Sequence, residues 1–384
     1  MTGRPADAGP RTSPSLPAVA DADAAAWDAF VEANPRGSYL QLAGWARVKA
    51  VNGWSARRLL APGEPGLPGV GAQVLLRRPG PLPWAFAYAP RGPVLEAWDG
   101  LTIARVTGLV RDGLRAGMRV SHLRIDPEVE AGTGPDAGGA VSDALRAAGW
   151  RPAPPIQPVS TRAIDLTADE DALWADLRKK WRQYVNKART GGVRVVDAGP
   201  ERLDEFYRIY RETADRAGFL IRAPSAYRDV WDAFAPAGHA RLLFAELPDG
   251  TPAATLFLVR AGTRVVEPYG GMTQAGADSR ANYLLKWEAI RSSKAAGAAV
   301  YDLWGLAHPG IAHFKTGFGG REIRYVGAWD LVLDAFGRRT YVVAQRARVR
   351  VERLRHGLRG AGGATAAGYA GSVSPDGAGD GGDG

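Results

Sequence analysis

A repeated order of predicted elements constrains this chain more than any other feature of its sequence. In each half, two helices precede a set of antiparallel strands, and a turn containing glycine or proline then leads to one further helix and a last strand. A helix and a strand that follow an antiparallel meander indicate an α+β arrangement, in which helices cover a mixed sheet. The chain is therefore predicted to contain two tandem α+β domains of one design.

Hydrophobic periodicity predicts where these elements lie. In the first half the predicted helices are 24–33, 45–51 and 101–116, and the predicted strands are 56–60, 70–77, 84–89 and 120–125. In the second half the predicted helices are 169–190, 200–217 and 282–296, and the predicted strands are 240–247, 253–259, 264–269 and 299–304. The proline-rich stretch 152–158 is expected to separate the two halves.

Composition narrows the classes of protein to which the chain can belong. Its 384 residues suffice for two ordinary domains, and 46% of them are hydrophobic, so each domain can bury a core. The absence of cysteine excludes disulfides, thiol nucleophiles and cysteine-bound zinc or iron–sulfur clusters. No apolar run approaches the ~20 residues of a membrane-spanning helix, and the first residues do not read as a signal peptide. We therefore expect a soluble, cytoplasmic protein.

The formal charge of +9 favours a polyanionic partner. The excess of Lys and Arg fits tRNA, a nucleotide diphosphate or an anionic membrane surface, and charge alone does not choose among them. The two ends, residues 1–23 and 360–384, contain too few large apolar side chains to offset the entropy of ordering. Both ends are therefore predicted to be disordered.

Six short motifs follow one another along the chain. Those of the first half are Gly37-Ser38-Tyr39-Leu40-Gln41, Trp45-Ala46-Arg47-Val48-Lys49 with Gly53-Trp54, and Tyr88-Ala89-Pro90-Arg91-Gly92-Pro93-Val94. Those of the second half are Leu177-Arg178-Lys179-Lys180 with Asn186-Lys187-Ala188-Arg189, Phe206-Tyr207 leading to Arg216-Ala217-Gly218-Phe219, and Phe314-Lys315-Thr316-Gly317-Phe318-Gly319. In this order they resemble the signatures of the FemABX family of peptidoglycan bridge-forming aminoacyltransferases. The similarity runs from about residue 27 to residue 350.

The resemblance implies that each half adopts a GNAT-like fold, the fold of acyl-CoA N-acyltransferases. Some family members carry a long helical arm in the second domain, but the segment 219–240 is too short for one. The chain is thus similar to the members without the arm, in which a returning C-terminal segment completes the first domain. We therefore predict a first domain at 24–158, completed by about 329–350, and a second domain at 159–328.

The resemblance also implies a reaction. Members of the family transfer an amino acid from aminoacyl-tRNA, the co-substrate, to the side-chain amine of the stem peptide in a cell-wall precursor. The expected partners are aminoacyl-tRNA and either UDP-MurNAc-pentapeptide or the lipid-linked precursor, with no metal or further cofactor, and a monomer is expected. The sequence leaves open whether Gly, Ala or Ser is donated, because such pockets differ by single methylene or hydroxyl contacts.

Lys315 and Phe314 are the predicted catalytic residues. Aminoacyl transfer needs a positioned ester and a stabilised oxyanion, and it requires no protein nucleophile. Lys315 lies in a predicted loop, where Gly317 and its neighbours permit the close approach of a substrate. The resemblance points to the same lysine. Asp302, on the preceding strand, is either a base or the ion-pair partner of a buried cation.

Binding of the precursor requires cations for its diphosphate and hydroxyls or aromatic faces for its sugar and peptide. The predicted substrate-binding residues are Lys49, Arg222, Tyr227, Tyr269, Tyr88 and Arg91. By resemblance, Lys49 and Arg222 contact phosphate, and Arg216 is a rival to Arg222 because the spacing to the next tyrosine is not fixed. Each tyrosine is equally compatible with core or rim packing and an internally bonded hydroxyl.

A basic predicted helix offers a surface for tRNA. Its predicted tRNA-binding residues are Arg178, Lys179, Lys180, Arg182 and Lys187. Neutralising phosphates is the sequence-independent part of nucleic-acid affinity, although such a run is also compatible with an ordinary solvated face. A second cluster of arginines, within 338–359, would meet tRNA or the anionic inner face of the plasma membrane.

Two other functions stay compatible with the sequence. An acyl-CoA-dependent GNAT N-acyltransferase would bind pyrophosphate on a glycine-rich turn at the start of the crossover helix, but residues 272–281 lack the usual spacing. A non-catalytic tRNA-binding or cell-wall assembly module would use the basic helices alone. Loss of transfer in Lys315→Ala with tRNA binding intact would argue against that binding-only role.

Overall fold

The computed structural model of the protein describes residues 22–115, 117–306 and 309–359. The predictions of disorder at the two ends fall almost entirely on residues 1–21 and 360–384, which lie outside these ranges. Within them the chain forms two mixed seven-stranded sheets with helices against their faces.

The first half begins with two helices and continues into strands on either side of a crossover helix. Its helices are α1 (Ala24–Ala33), α2 (Ala43–Ala50), α3 (Gly100–Gly113) and α4 (Ala140–Ala147). Its strands are β1 (Ser55–Ala61), β2 (Val70–Arg77), β3 (Ala85–Ala89), β4 (Val94–Leu95), β5 (Val120–Ile125), β6 (Ala131–Gly132), β7 (Asp136–Ala137) and β8 (Trp150–Ala153). The crossover helix α3 starts at a capping box, in which the Asp99 side chain accepts from the Thr102 amide at 2.8 Å.

The second half repeats this order with more helices. Its helices are α5 (Glu170–Asp176), α6 (Lys179–Thr190), α7 (Leu203–Ala217), α8 (Pro224–Phe234), α9 (Gln274–Ser279), α10 (Ala281–Ala295), α11 (Pro309–Thr316) and α12 (Ala335–Arg359). Its strands are β9 (Ser160–Asp165), β10 (Arg194–Ala198), β11 (Ala240–Glu246), β12 (Pro252–Ala261), β13 (Arg264–Met272), β14 (Val300–Asp302), β15 (Arg321–Arg324) and β16 (Ala328–Val332). Short 3-10 helices lie at Tyr39–Gln41, Pro200–Arg202 and Ala235–Ala237.

The first sheet has the strand order β1-β2-β3-β5-β16-β8, with β4 paired to β2. Strands β3 and β5 are parallel and are connected by α3, whereas the other pairs in this sheet are antiparallel. Strand β16 lies between β5 and β8, so a late segment of the chain is part of the first sheet. Apolar side chains of α3 and α4, such as Ile103, Val106 and Leu145, form the core on one face.

The second sheet has the strand order β10-β11-β12-β13-β14-β9-β15. Its parallel pair is β13 and β14, which α10 connects. Leu284, Leu285 and Ile290 of α10 are buried against this sheet together with Trp181 of α6. Both halves thus contain one parallel strand pair joined by a crossover helix.

A second core joins the two halves. Trp27 and Tyr39 of the first half pack in one buried cluster with Phe206, Phe234 and Phe257 of the second half. The rings of Tyr39 and Phe234 meet edge to face at 6.0 Å. Burial of each large apolar side chain contributes roughly 1.5–3 kcal/mol, so this shared core fixes the halves against each other.

Strands β13 and β14 separate part-way along their length. They are paired only from Arg264 to Val266, opposite Val300 to Asp302, although β13 continues to Met272. After Asp302 the chain turns at Trp304, which has a φ of 56°. The divergence leaves a gap between the two strands in the second sheet.

Two predictions about the second half are wrong. The helix predicted over 169–190 is interrupted between α5 and α6, where Leu177 and Arg178 are extended. The Arg178 amide donates to the Gly317 carbonyl at 2.9 Å, and the Gly320 amide donates to the Asp176 carboxylate at 2.7 Å. Lys315 lies on α11 and not in a loop. Both errors arise because contacts between distant segments determine the structure here, and local periodicity does not report such contacts.

The last helix, α12, begins three residues after β16. Arg338 near its start contacts Asp330 of β16 at 2.9 Å, which ties the helix to the first sheet. Asp334 accepts a hydrogen bond from Trp84 Nε1 at 2.8 Å. Among residues 22–115, 117–306 and 309–359, no helix combines the length and the apolar character needed to cross a bilayer.

Candidate active site

A cavity of about 600 Å³ lies at the gap between β13 and β14. The predicted site residues that line it are Lys49, Tyr88, Arg222, Tyr227, Tyr269, Phe314 and Lys315. Two of its lining residues, Tyr227 and Tyr269, pack in the core shared by the halves, whereas Trp181 and Leu285 pack in the core beside α10. The cavity therefore reaches both faces of the second sheet.

Helix α11 places Lys315 at this gap. Its Nζ donates to the carbonyl oxygens of Trp304 at 2.8 Å and Gly305 at 2.9 Å. An ammonium group has three N–H donors, so one is left for a ligand in the cavity. Burial lowers the pKa of Lys315 to about 8, against the opposing charge of Glu267. A cation held in this way can stabilise a developing oxyanion.

Trp181 of α6 holds α11 in place. Its Nε1 donates to the Phe314 carbonyl at 3.0 Å. A Cβ at Gly317 would lie 2.2 Å from Cε2 of Trp181, so only glycine fits there. The ring of Phe314 packs edge to face against Tyr283 at 5.1 Å. Gly317 thus serves the packing of α11 on α6, and not the approach of a substrate that the sequence suggested.

A buried ionic network fixes the backbone that holds Lys315. Asp302 forms an ion pair with Arg264 and accepts hydrogen bonds from the Thr161 hydroxyl and, at 2.7 Å, from the Trp304 amide. The left-handed φ of Trp304 is uncommon for residues other than glycine, and this carboxylate stabilises it. Burial opposes ionisation, but Arg264 and these hydrogen bonds hold the pKa of Asp302 below its usual value. Of the two roles left open by the sequence, the structure shows the ion pair.

Arg91 does not line the cavity, so its prediction as a substrate-binding residue is wrong. It is 3% exposed, its Nε lies 3.3 Å from Glu128, and its Nη2 donates to the Pro158 carbonyl at 2.9 Å. Glu128 also contacts Arg264 at 2.7 Å. The Arg91 guanidinium lies 5.1 Å from the ring centre of Trp304. Arg91 therefore extends the ionic network from the first half into the second.

Tyr88 lines the cavity, but its hydroxyl is bonded internally. The hydroxyl donates to Asp126 at 2.6 Å and accepts from Gln157 Nε2 at 3.3 Å. Asp126 also accepts from the Arg91 amide at 2.7 Å. Tyr88 is thus left with its ring as the part that a ligand can contact.

Tyr227 and Tyr269 form an aromatic wall of the cavity. Their rings meet edge to face at 5.1 Å, and burial raises the pKa of both hydroxyls, which keeps them protonated. The Arg222 amide donates to the Tyr227 hydroxyl at 3.2 Å, which places Arg222 beside this wall. The rival residue, Arg216, also lines the cavity and donates to the Met272 carbonyl at 3.0 Å. Both arginines therefore lie at the site.

Lys49 reaches the cavity from the first half. It lies on α2, is buried, and its Nζ is 5.4 Å from the ring centre of Trp45. Because α2 and α8 pack against each other in the shared core, Lys49 lies on the same side of the second sheet as Arg222. This side of the cavity combines cations with aromatic rings.

The predicted tRNA-binding residues lie at and after the start of α6. Those that are exposed are Arg178, Lys179, Lys180 and Lys187. Arg182 is half-buried, and its Nη1 donates to the carbonyls of Ala175 at 2.6 Å and Leu177 at 2.8 Å, so it caps the end of α5 and its binding of tRNA stays a prediction. Nη1 of Arg178 lies 3.5 Å from Nδ1 of His313, a residue of α11 that lines the cavity. The exposed cations thus begin beside the cavity.

The sequence analysis missed a buried charged pair in the cavity wall. Glu267 of β13 is 6% exposed and Lys286 of α10 is 3% exposed. Lys286 Nζ contacts Glu267 Oε1, and the Tyr301 hydroxyl donates to Oε2 at 2.8 Å. The available signal is a charge at a core position, because each residue interrupts an apolar run. In the part of the chain that the structure describes, no group of three or more His, Asp or Glu could hold a metal ion.

Known proteins resemble this chain in sequence and in fold. The model of the acetyltransferase (GNAT) domain family matches residues 175–316. A crystal structure of FemX aligns with a TM-score of 0.76 at 22% identity, and the alignment covers 84% of this chain and 98% of that one. This likeness confirms the predicted arrangement of tandem GNAT-like domains.

The lipid II:glycine glycyltransferase of Staphylococcus saprophyticus is 31% identical over 236 residues, which are 58% of this chain and 54% of that protein. The protein of the same name from Staphylococcus aureus is 30% identical over 228 residues, 57% of this chain and 53% of that protein. These likenesses support the resemblance to the FemABX family that the motifs indicate. The chain spans about half the length of these curated relatives.

The GNAT match falls on the part of the chain that forms the site. It runs from the end of α5 to the end of α11, and so includes the gap between β13 and β14, Glu267 and Lys315. The first half of the chain lies outside that match, although its sheet has the same parallel pair and crossover helix.

Proposed function

We propose that this protein is a FemABX-type aminoacyltransferase that moves an amino acid from aminoacyl-tRNA to the side-chain amine of the stem peptide in a peptidoglycan precursor. The observation that carries the proposal is the position of Lys315, held by two backbone carbonyls at a gap that opens to both faces of the second sheet. The names of the staphylococcal relatives support the same chemistry. The donated residue is glycine, alanine or serine.

The proposed reaction needs no covalent enzyme intermediate. The neutral amine of the acceptor attacks the ester carbonyl carbon, a C–N bond forms, and the carbonyl oxygen becomes an oxyanion that accepts the third N–H of Lys315. The bond from this carbon to the ribose oxygen then breaks. The nitrogen loses one proton and the ribose oxygen gains one, which yields an amide and deacylated tRNA. Phe314 supplies an apolar wall beside Lys315.

The acceptor is proposed to occupy the side of the cavity that faces the shared core. Lys49 and Arg222 would bind its diphosphate, and Tyr227 and Tyr269 its sugar and peptide. Both UDP-MurNAc-pentapeptide and the lipid-linked precursor carry this diphosphate, and the relatives' names favour the lipid-linked form. A protein that works on this form would act as a monomer at the inner face of the plasma membrane, where arginines of α12 would meet anionic lipid.

The donor is proposed to approach along α6. Arg178, Lys179 and Lys180 are exposed at the start of this helix, beside α11, and Lys187 follows on the same helix. Cations in this place would neutralise phosphates near the acceptor end of a tRNA while its ester reaches Lys315.

The proposal is tested by mixing the purified protein with labelled glycyl-, alanyl- or seryl-tRNA and either form of the precursor, and by following label into the peptide. We expect acceptor-dependent transfer from one tRNA, and we expect Lys315→Ala to reduce it by about 10²–10³-fold, the usual effect of losing an oxyanion donor. The matched control is Lys294→Ala, because Lys294 also donates to a backbone carbonyl, that of Leu166 at 2.8 Å, but does so at the far end of α10.

The same experiment separates the rival functions. Transfer from acyl-CoA and from no aminoacyl-tRNA would replace the proposal with a GNAT N-acyltransferase, which the GNAT family match also favours. Binding of tRNA without any transfer, unchanged in Lys315→Ala, would indicate a non-catalytic module.

A further inference from the structure

The cavity wall contains a single carboxylate among many cations. Its described lining residues include the side chains of Lys49, Arg216, Arg222, Arg280, Lys286 and Lys315, and the one carboxylate among them is Glu267. Such a cavity attracts phosphate groups, and it repels an ammonium group except close to Glu267. The position of Glu267 therefore decides where a cationic group of a substrate can bind.

Glu267 faces the side of the second sheet opposite to the proposed phosphate ligands. Side chains alternate along a strand, and Val265 packs in the core beside α10 whereas Val266 packs in the core shared by the halves. The side chain of Glu267 lies on the same face of the sheet as that of Val265, where it contacts Lys286 of α10 and Tyr301 of β14. The cavity thus has two sides, the α10 side with Glu267 and the opposite side with Lys49 and Arg222. The gap with Lys315 lies between them.

Lys286 and Tyr301 hold Glu267 without using all of its acceptor capacity. One oxygen contacts Lys286 Nζ and the other accepts from the Tyr301 hydroxyl. An ionised carboxylate has about four lone-pair positions, so each oxygen can accept a further donor. Burying an ion pair is costly, and a pair that served folding alone would be enclosed by protein. Here both charged residues line the cavity.

The reaction brings two amines to this site, and they differ in what they need. The attacking amine has to be neutral, whereas the amino group of the donor takes no part in bond making and keeps its proton. We propose that Glu267 binds the α-ammonium group of the aminoacyl donor on the α10 side of the gap. This inference rests on the proposed function and adds the basis of donor choice, because an aminoacyl ester differs from a simple acyl ester by this one cation.

The electrostatics of Lys315 agree with this placement. Lys286, the partner of Glu267, has its Nζ 5.6 Å from the ring centre of Phe314, the residue before Lys315, and the charge of Glu267 opposes the effect of burial on the pKa of Lys315. A donor whose α-ammonium contacts Glu267 would therefore have its ester carbonyl within reach of Lys315.

The test compares glycyl-tRNA with glycolyl-tRNA, which has the same ester but a neutral hydroxyl in place of the ammonium. We expect the wild-type kcat/KM to favour glycyl-tRNA, and we expect Glu267→Gln to reduce this preference by about tenfold or more, through a higher KM for glycyl-tRNA. Loss of the Glu267 charge also lowers the pKa of Lys315, which slows transfer from both donors alike, so the measured quantity is the ratio of the two kcat/KM values. The control is Glu246→Gln. Glu246 lies on β11 of the same sheet and is paired with Arg202, and its replacement should leave the preference unchanged.

Glu267→Gln leaves the buried Lys286 without its ion-pair partner, and the variant is therefore accompanied by Glu267→Gln/Lys286→Met, which removes both charges. Thermal unfolding followed by circular dichroism reports whether each variant is folded. The wild-type protein supplies an independent measurement: calorimetric binding of 3′-glycylamido-3′-deoxyadenosine should be at least about tenfold tighter than binding of the glycolylamido analogue.

The outcomes are distinguishable. Transfer with an unchanged donor preference in the folded variants, or equal binding of the two adenosine analogues by the wild-type protein, would overturn the role of Glu267 and leave the proposed function standing. Transfer from no aminoacyl-tRNA by the wild-type protein would overturn the proposed function itself.

Discussion

The two halves of the molecule contain the same parallel strand pair and crossover helix, yet only the second half opens between the strands. In the first sheet β3 stays paired with β5 from Ala85 to its end at Ala89. In the second sheet the pairing of β13 with β14 ends at Val266, and β13 continues to Met272 without pairing to β14. The cavity with Lys315 lies at the second of these places.

Carboxylates explain why the first half is closed. Asp126, directly after β5, accepts from the Tyr88 hydroxyl of β3 and from the Arg91 amide, and Glu128 contacts the Arg91 guanidinium. In the second half, glycines follow Tyr269, and a Cβ at Gly271 would lie 2.7 Å from the Thr213 hydroxyl oxygen of α7. The first half binds its own polar groups, whereas the second leaves cations facing a cavity. Repetition of a fold thus leaves the proposed oxyanion donor to one half, whereas the other half serves mainly as a scaffold and adds lining residues such as Lys49 and Tyr88.

The largest expected effect comes from removing one carboxylate from each half. Asp302→Asn removes one of the two carboxylates paired with the buried Arg264 and weakens the hydrogen bonds from Thr161 and Trp304, so we expect the free energy of unfolding to fall by about 3 kcal/mol. Asp126→Asn should lower it by about 2 kcal/mol, because a buried acceptor for two amides and a hydroxyl is weakened. Denaturant unfolding of both variants and of the wild-type protein measures these differences in the free energy of unfolding.

Turnover separates the two variants further. Asp302 holds the Trp304 amide, and the Trp304 carbonyl accepts from Lys315, so Asp302→Asn should also lower kcat by about tenfold, the effect of a small misplacement of Lys315. Asp126→Asn should leave kcat within about twofold at a temperature where both variants are folded. Equal losses of kcat in the two variants would show that the first half is more than a scaffold.

The next effect in size is a dependence on pH that belongs to the second half alone. The pKa of Lys315 is lowered to about 8, and the proposed oxyanion role requires its protonated form. The single-turnover rate, divided by the neutral fraction of the acceptor amine at each pH, should therefore fall as the pH rises through about 8, by about tenfold for each further pH unit. Lys315→Arg, whose guanidinium stays charged, should lose this decline even where it is slower. A decline that persists in Lys315→Arg would assign the titration to another group.

The order of the elements could be predicted from the sequence because each half contains strong apolar periodicity. Helix α1 and strands β2 and β5 have the predicted bounds. The break between α5 and α6 could not be predicted, since it depends on Arg178 donating to Gly317 more than a hundred residues away. The helical state of Lys315 is likewise stabilised by the contact of Gly317 with Trp181.

The same distinction holds for the site: residues in local motifs could be predicted, whereas roles that depend on a distant partner could not. Lys315 and Lys49 could be placed because they lie in motifs, and the structure brings both to one cavity. Arg91 also lies in a motif, but its partner Glu128 decides its role, and no local pattern relates the two residues. Glu267 lies in none of the six motifs, and only the charge at a core position indicated it.

The smallest effect concerns the outer surface of the second half. Lys179→Ala/Lys180→Ala removes two exposed cations at the start of α6, and each lost phosphate contact should lower the slope of log K against log salt concentration by about 1. We therefore expect tRNA binding to weaken a few-fold near 0.15 M salt and the slope to fall by about 2, measured by fluorescence anisotropy with labelled tRNA. The matched control in the first half is Arg115→Ala, an exposed cation just after the crossover helix α3. An equal loss of affinity and slope in Arg115→Ala would mean that tRNA contacts both halves, and the division into scaffold and site would then apply to the chemistry but not to the binding of the donor.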